Sequence, residues 1–183
     1  VAHEQPRVPG PASPGRRGPN ARLTGRRLPA GQLGRKLIKV REAMTFFRDH
    51  NLPLSGDHQT VGQVLAERSA LGQRLDERAR ILRLPGAIVL VDARGKLSGI
   101  LTDGDLRRLV TSSSAGSIDL GRPIKDVMTK NPRRISADAL ASEAMAIMRP
   151  LRIDELPVVD EQDKPIGLID IQDLVVLKML DVT

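Results

Sequence analysis

Ala87-Ile-Val-Leu-Val-Asp92, the polar step Ala93-Arg-Gly-Lys96 and Leu97-Ser-Gly-Ile-Leu-Thr-Asp-Gly-Asp-Leu106 form one continuous pattern. Sixty-eight residues later it returns as Glu155-Leu-Pro-Val-Val-Asp160, Glu161-Gln-Asp-Lys164 and Pro165-Ile-Gly-Leu-Ile-Asp-Ile-Gln-Asp-Leu174. Val91, Asp92, Lys96, Gly99, Asp105 and Leu106 recur as Val159, Asp160, Lys164, Gly167, Asp173 and Leu174. Upstream, Val40-Arg-Glu-Ala-Met44 mirrors Ile124-Lys-Asp-Val-Met128. Self-similarity over this length means two copies of one structural unit.

Each unit can be read locally. Leu156 to Val159, a four-residue polar turn and Ile166 to Ile169 predict a buried β-hairpin. Asp170 is placed to cap the helix after it, whose apolar positions Ile171, Leu174, Val175 and Leu177 keep helical spacing. Before the hairpin, Leu140, Ala144, Ile147 and Met148 mark an amphipathic helix that Pro150 is expected to end. A unit of a helix, two or three strands and a second helix is too small to close its own core, so two must pack face to face. The first copy is longer: 48 positions separate Met44 from Asp92, against 32 between Met128 and Asp160. The surplus lies largely in residues 69–84, where Leu71, Leu75, Ala79 and Leu82 form an apolar stripe and predict an extended or extra helix.

The formal net charge of +7 is unevenly placed. Residues 1–41 hold ten Lys/Arg against one acid, and residues 42–183 hold nineteen against twenty-one. Residues 1–31 also carry six of the thirteen Pro and five of the sixteen Gly, a composition expected to stay disordered as a basic arm. Such an arm can hold nucleic acid non-specifically, but the folded part is near neutral, and the absence of Trp and Tyr removes stacking platforms for bases. Nucleic acid is therefore not the expected partner. The absence of Cys excludes disulfides and thiolate metal clusters and fits a reducing, cytoplasmic setting. No apolar run approaches a membrane span. There is no Walker-type phosphate loop, no G-x-G-x-x-G and no H-E-x-x-H.

The hydrophobic-Pro-Val-Val-Asp strand at 156–160, Gly-Ile-Leu-Thr-x-x-Asp-Leu at 99–106 and Val-Met-Thr at 127–129 resemble a pair of CBS domains, over roughly residues 36–181. The implied fold is α+β: two repeats of helix-strand-helix-strand-strand-helix type packed as a pseudo-twofold pair, one at 36–111 and the other at 121–181. Ile-Leu-Thr-Asp-Gly-Asp-Leu-Arg-Arg (100–108) and Leu-Pro-Ala-Gly-Gln-Leu-Gly-Arg-Lys-Leu (28–37) are further similar to the C-terminal regulatory half of the arabinose-5-phosphate isomerase family, which feeds lipopolysaccharide or capsule synthesis. That family carries a SIS-type catalytic domain upstream, absent from this sequence, and a junction His where this sequence has Leu28. His3, His50 and His58 lie in no acid-base constellation that could move the proton of an aldose-ketose isomerisation. The expectation is a non-catalytic regulatory module with no required cofactor, the alternatives being a truncated isomerase of that family without its catalytic domain and a dimerisation scaffold with vestigial clefts. The regulatory module would bind AMP, ADP, ATP or a CMP-sugar, form a homodimer through the repeats and act on an attached or partner SIS isomerase.

The resemblance implies a ligand in a cleft between the repeats, its base held by the first strands (Val89, Val91, Pro157, Val158) and its ribose and phosphate by Thr102 and Asp105. An Asp accepting from both ribose hydroxyls makes a charge-assisted contact. A Thr hydroxyl with free N–H groups at a helix start suits a phosphate. In the second copy Asp173 matches, but Asp170 replaces the Thr and would repel phosphate. Arg107, Arg108 and Lys130, with Arg133 and Arg134 beside Pro132, are candidate phosphate contacts, against the ordinary reading of solvated charges. Thr102-x-x-Asp105 is also a capping-box pattern, in which both side chains only satisfy backbone donors.

Overall fold

The computed structural model describes residues 37–78, 84–112 and 118–177. The expected basic arm at 1–31 lies outside the described residues. In chain order the elements are α1 (Val40–Ala43), β1 (Phe46–Phe47), β2 (Leu54–Gly56), α2 (Val61–Arg78), β3 (Ala87–Val91), β4 (Leu97–Thr102) and α3 (Asp103–Ser112). A 3-10 turn at Ile124–Asp126 is followed by β5 (Thr129–Lys130), β6 (Ile135–Ser136), α4 (Ala141–Leu151), β7 (Glu155–Val159), β8 (Pro165–Asp170) and α5 (Ile171–Val176). The second copy thus retraces the first. Part of the 69–84 surplus is a longer helix, α2 having 18 residues against 11 in α4.

Both hairpins form where the alternation of apolar run and polar turn places them. The repeated Asp shapes each turn from inside. Asp92 accepts from the N–H groups of Arg94 and Lys96 at 2.8 and 2.9 Å. Asp160 does the same for Gln162 and Lys164, both at 2.9 Å. One residue in each turn adopts positive φ, Gly95 at 75° and Asp163 at 66°, and Gly and Asp are among the residues that tolerate this region best. The amphipathic helix before the second hairpin runs through Pro150 to Leu151 and ends at Arg152 with φ 52°. The helix thus ends one residue beyond the expected stop at Pro150, whose missing N–H forfeits the bond to the carbonyl four residues back.

The sheets are not one per repeat. They run β1-β8-β7-β6 and β2-β3-β4-β5, so the short strand after each Met joins the sheet of the other copy. Phe46 and Phe47 pair with Leu168 and Gly167, while Thr129 and Lys130 pair with Ile100 and Gly99. The opening helices cross over too. Ile38, Val40, Ala43 and Met44 pack in the core of the second copy, and Ile124 packs among Val61, Val64, Ile88, Leu90 and Leu101 of the first. Between the sheets, Phe46, Leu52, Ala87, Val89, Leu97, Ile100, Val159 and Leu168 form a shared core. Burial of these side chains, the Val, Leu, Ile and Phe members each contributing about 1.5–3 kcal/mol relative to exposure, couples the stability of one repeat to the presence of the other.

Candidate functional site

The exchange of opening segments leaves a cleft of about 840 Å³ where the two strand-to-helix junctions face one another. From the first hairpin it takes Gly86, Ile100, Thr102, Asp103 and Gly104; from the second, Arg152 to Glu155, Pro157 and Asp170 to Gln172. The segment after β5 closes one side with Asn131, Pro132 and Arg133. Backbone bonds repeat at both junctions: Asp103 N–H donates to Gly86 O at 3.1 Å, and Ile171 N–H to Asp154 O at 2.8 Å.

The repeated carboxylates are held by their own helices. Asp105 is buried; its Oδ2 accepts from the Thr102 N–H at 2.8 Å and the Thr102 hydroxyl at 2.7 Å. The Asp105 N–H returns a bond of 3.2 Å to the Thr102 hydroxyl, and Arg108 pairs with the other oxygen. This is a capping box with a Thr-Asp variant of the usual residues. Thr102→Ala is expected to lower stability by about 1 kcal/mol in urea unfolding and Thr102→Ser by much less. Equal losses for the two variants would mean that the hydroxyl does not carry the cap. In the second copy Asp173 accepts from the Asp170 N–H at 3.1 Å and from the hydroxyl of Thr45 at 2.9 Å. Asp170 itself caps α5 through Gln172 N–H at 2.8 Å, as its position predicts. Thr129, the counterpart of Thr45, lines the cleft instead.

Of the residues singled out in sequence, Thr102 and Pro157 line the cleft. Asp105 and Asp173 sit behind it in the caps. Val89 and Val158 are fully buried in the cores, and Val91 ends β3, paired with Leu97 and Gly56. Arg107 is an exposed residue of α3, Arg108 is turned to Asp105, and Lys130 is exposed beside Gly99. Arg134 pairs with Asp163 at 2.7 Å, whereas Arg133 next to it lines the cleft.

Sequence reading missed Glu155. It stands directly opposite Asp170 across the β7–β8 pair, where the first copy sets Ala87 opposite Thr102. Its Oε1 accepts the Gly86 N–H at 2.6 Å, joining the second hairpin to the first. Burial, reinforced by the charges of Asp170 and Asp103, pushes its carboxyl up to about 7 despite the lowering effect of the Gly86 and Ala87 N–H groups. The signal was available: once the hairpins are aligned, the repeat shows two carboxylates replacing Ala and Thr at a cross-strand pair. Among the described residues no group of three or more His, Cys, Asp or Glu is arranged to hold a metal ion, and no helix is long and apolar enough to cross a membrane.

Residues 124–179 match the CBS domain family. The chain is 37% identical over 148 residues to the arabinose 5-phosphate isomerase KdsD of Pseudomonas aeruginosa, covering 80% of this chain and 40% of that protein. It is 32% identical over 158 residues to the arabinose 5-phosphate isomerase GutQ of Escherichia coli K12, covering 86% of this chain and 44% of that one. It therefore spans about two fifths of the length of these relatives. Among solved structures, the CBS-domain containing protein ATU1752 from Agrobacterium tumefaciens is similar with a TM-score of 0.54 and 26% identity, over 78% of this chain and 94% of that one. CBSX2, solved in complex with AMP, is similar in fold with a TM-score of 0.56 and 22% identity, over 78% and 96% of the two chains.

Proposed function

We propose that this chain, a tandem pair of CBS repeats similar to the C-terminal part of arabinose 5-phosphate isomerases, is a regulatory ligand-binding module. Its ligand is an adenine nucleotide or a nucleotide-sugar, taken in the cleft between the repeats, and its effect falls on an attached or partner sugar-phosphate isomerase. The observation that carries this reading is the cleft itself. Both repeats wall it, so a ligand there touches two bodies whose relative placement it can bias by binding one arrangement more tightly. Its lining sets Thr102 and Asn131 beside Ile100 and Pro157, a mixed surface that suits a ligand with an apolar base and a polar end. The complex of CBSX2 with AMP supports the ligand class. Val110, Val175 and Val176, left exposed on α3 and α5, support association of two copies into a dimer.

A second reading, a dimerisation scaffold with vestigial clefts, is favoured by one observation: the hydroxyl of Thr102 and the carboxylates of Asp105 and Asp173 are already engaged in caps. Calorimetric titration of the chain with AMP, ATP and a CMP-sugar separates the two readings. Saturable binding that a Gly104→Trp substitution, which fills the cleft from an exposed position, abolishes with the fold retained by circular dichroism is the expected result. No heat with any of the three from a folded protein would leave the scaffold.

A further inference from the structure

The cleft is lined by charges of both signs. Arg133 and Arg152 line it, and neither guanidinium has a hydrogen bond or ion pair to any described residue. Arg107 and Lys130 likewise have no ion pair among the described residues, but neither lines the cleft. Arg108 is held by Asp105, Arg134 by Asp163 and Lys125 by Asp57. Arg152 is also presented from a left-handed backbone, φ 52°, immediately after α4, and Asn131, with φ 48°, stands two residues before Arg133. A non-glycine residue in this region is uncommon and places its side chain where a continuing helix would not. The same lining carries Asp103, Asp154, Glu155 and Asp170, with Asp154 and Glu155 on the segment that begins at Arg152. The oxygens of Asp103 and Glu155 crowd the same spot, 3.0 and 3.4 Å from where a side chain on Gly86 would begin.

An unpaired guanidinium offers a fork of donors matched to a phosphate or carboxylate. The carboxylates accept from hydroxyls or an amino group and repel further phosphate charge. With two arginines against four carboxylates, the cleft has no surplus of positive charge to neutralise a polyphosphate. We propose that the cleft takes a ligand with one phosphate, seated on Arg133 and Arg152, and a hydroxyl- or amine-bearing end turned to Glu155 and Asp170, and that it discriminates against di- and triphosphates. This rests on the cleft being the ligand site and narrows the ligand class within it.

The test is equilibrium binding of AMP, ATP and ribose 5-phosphate at pH 8, at constant ionic strength and without divalent cations, to the parent chain and to Arg133→Ala, Arg152→Ala and Glu155→Gln. AMP is expected to bind about tenfold or more tightly than ATP, since one misplaced charge in a partly desolvated site outweighs 1.4 kcal/mol. Each arginine substitution should weaken AMP by about tenfold, the loss of one charge-assisted contact. Glu155→Gln should narrow the gap between AMP and ATP. Ribose 5-phosphate binding without AMP binding would support the charge layout and remove the nucleotide reading. ATP binding as tightly as AMP, or AMP binding indifferent to both arginine substitutions, would overturn the charge layout and leave the nucleotide reading standing. Binding of none of the three would overturn both.

Discussion

Gly167→Ala should be among the most damaging single-methyl changes in the protein, lowering stability by about 3 kcal/mol or more. In a chain of this size that is a fall of roughly 10 °C in Tm. A Cβ at position 167 would lie 2.6 Å from the carbonyl oxygen of Phe46 and 2.6 Å from Sδ of Met44. The oxygen belongs to the exchanged strand β1, so relief requires backbone movement and loss of the Phe46–Phe47 pairing with Leu168 and Gly167. Gly99 is the counterpart, with Met128 where Gly167 has Met44. Its closest obstacles are atoms of the Met128 side chain alone, which can turn aside. Gly99→Ala should therefore cost about 1 kcal/mol, toward the low end of overpacking effects. Gly95→Asp is the control: nothing lies within 4 Å of a Cβ there, and the second copy already carries Asp163 in the same turn conformation. Urea unfolding of the three variants checks the order. Equal losses at 167 and 99 would show that the strand exchange does not depend on the close approach at Gly167.

The second large effect is a change in how stability responds to pH. Folded Glu155 holds its proton up to about 7, whereas the unfolded chain releases it near 4.5. Between those values the folded state binds more protons than the unfolded one, so the contribution of this group to stability falls as pH rises from 4.5 to 7 and is absent above it. Glu155→Gln keeps an oxygen to accept the Gly86 N–H and carries no charge beside Asp170 and Asp103. At pH 8 the variant should be more stable than the parent by about 1–2 kcal/mol, the full shift being discounted because the group is only half-buried and partly screened by water. Below pH 4.5 the two stabilities should converge. Thermal unfolding from pH 4 to 8 measures this, and a constant difference between the two proteins across that range would remove Glu155 as the responsible group.

Much of this architecture was legible in the residues. The 68-residue recurrence states that there are two units, and the alternation of strand, polar turn and strand locates β3–β4 and β7–β8 to within a residue or two. Asp170 reads as a helix cap and is one. Asp92 and Asp160 recur because each organises its own hairpin turn, a local demand that the repeat makes visible. Met44 and Met128 were visible as a mirrored pair, but not what they met. Each packs under the glycine of the other copy's hairpin, Met44 at Gly167 and Met128 at Gly99. Two repeated features with no local explanation were partners across the pseudo-twofold axis.

The site was less legible than the fold. Thr102-x-x-Asp105 offered both a ligand contact and a cap, and in the folded chain the cap geometry is present in full. Glu155 went unnoticed because its character comes from its neighbours: Asp170 lies 15 residues away along the chain and Gly86 lies 69 away. Arg133 could not be separated from Lys130 and Arg134 by composition, since all three are exposed cations around one proline. Only the direction of the loop after β5 puts Arg133 on the cleft and Arg134 on Asp163.

The sequence by itself determined the number of units, their hairpins, their caps and the need for the two to pack together, because each of these is set by residue spacing over a few turns or by simple repetition. The tertiary structure alone decided which sheet the two-residue strands join, which Met fills which Gly, and which charges share the cleft. A strand that short has no register of its own. It is placed by the shared core around Phe46 and Leu168, whose burial exists only once both repeats are together.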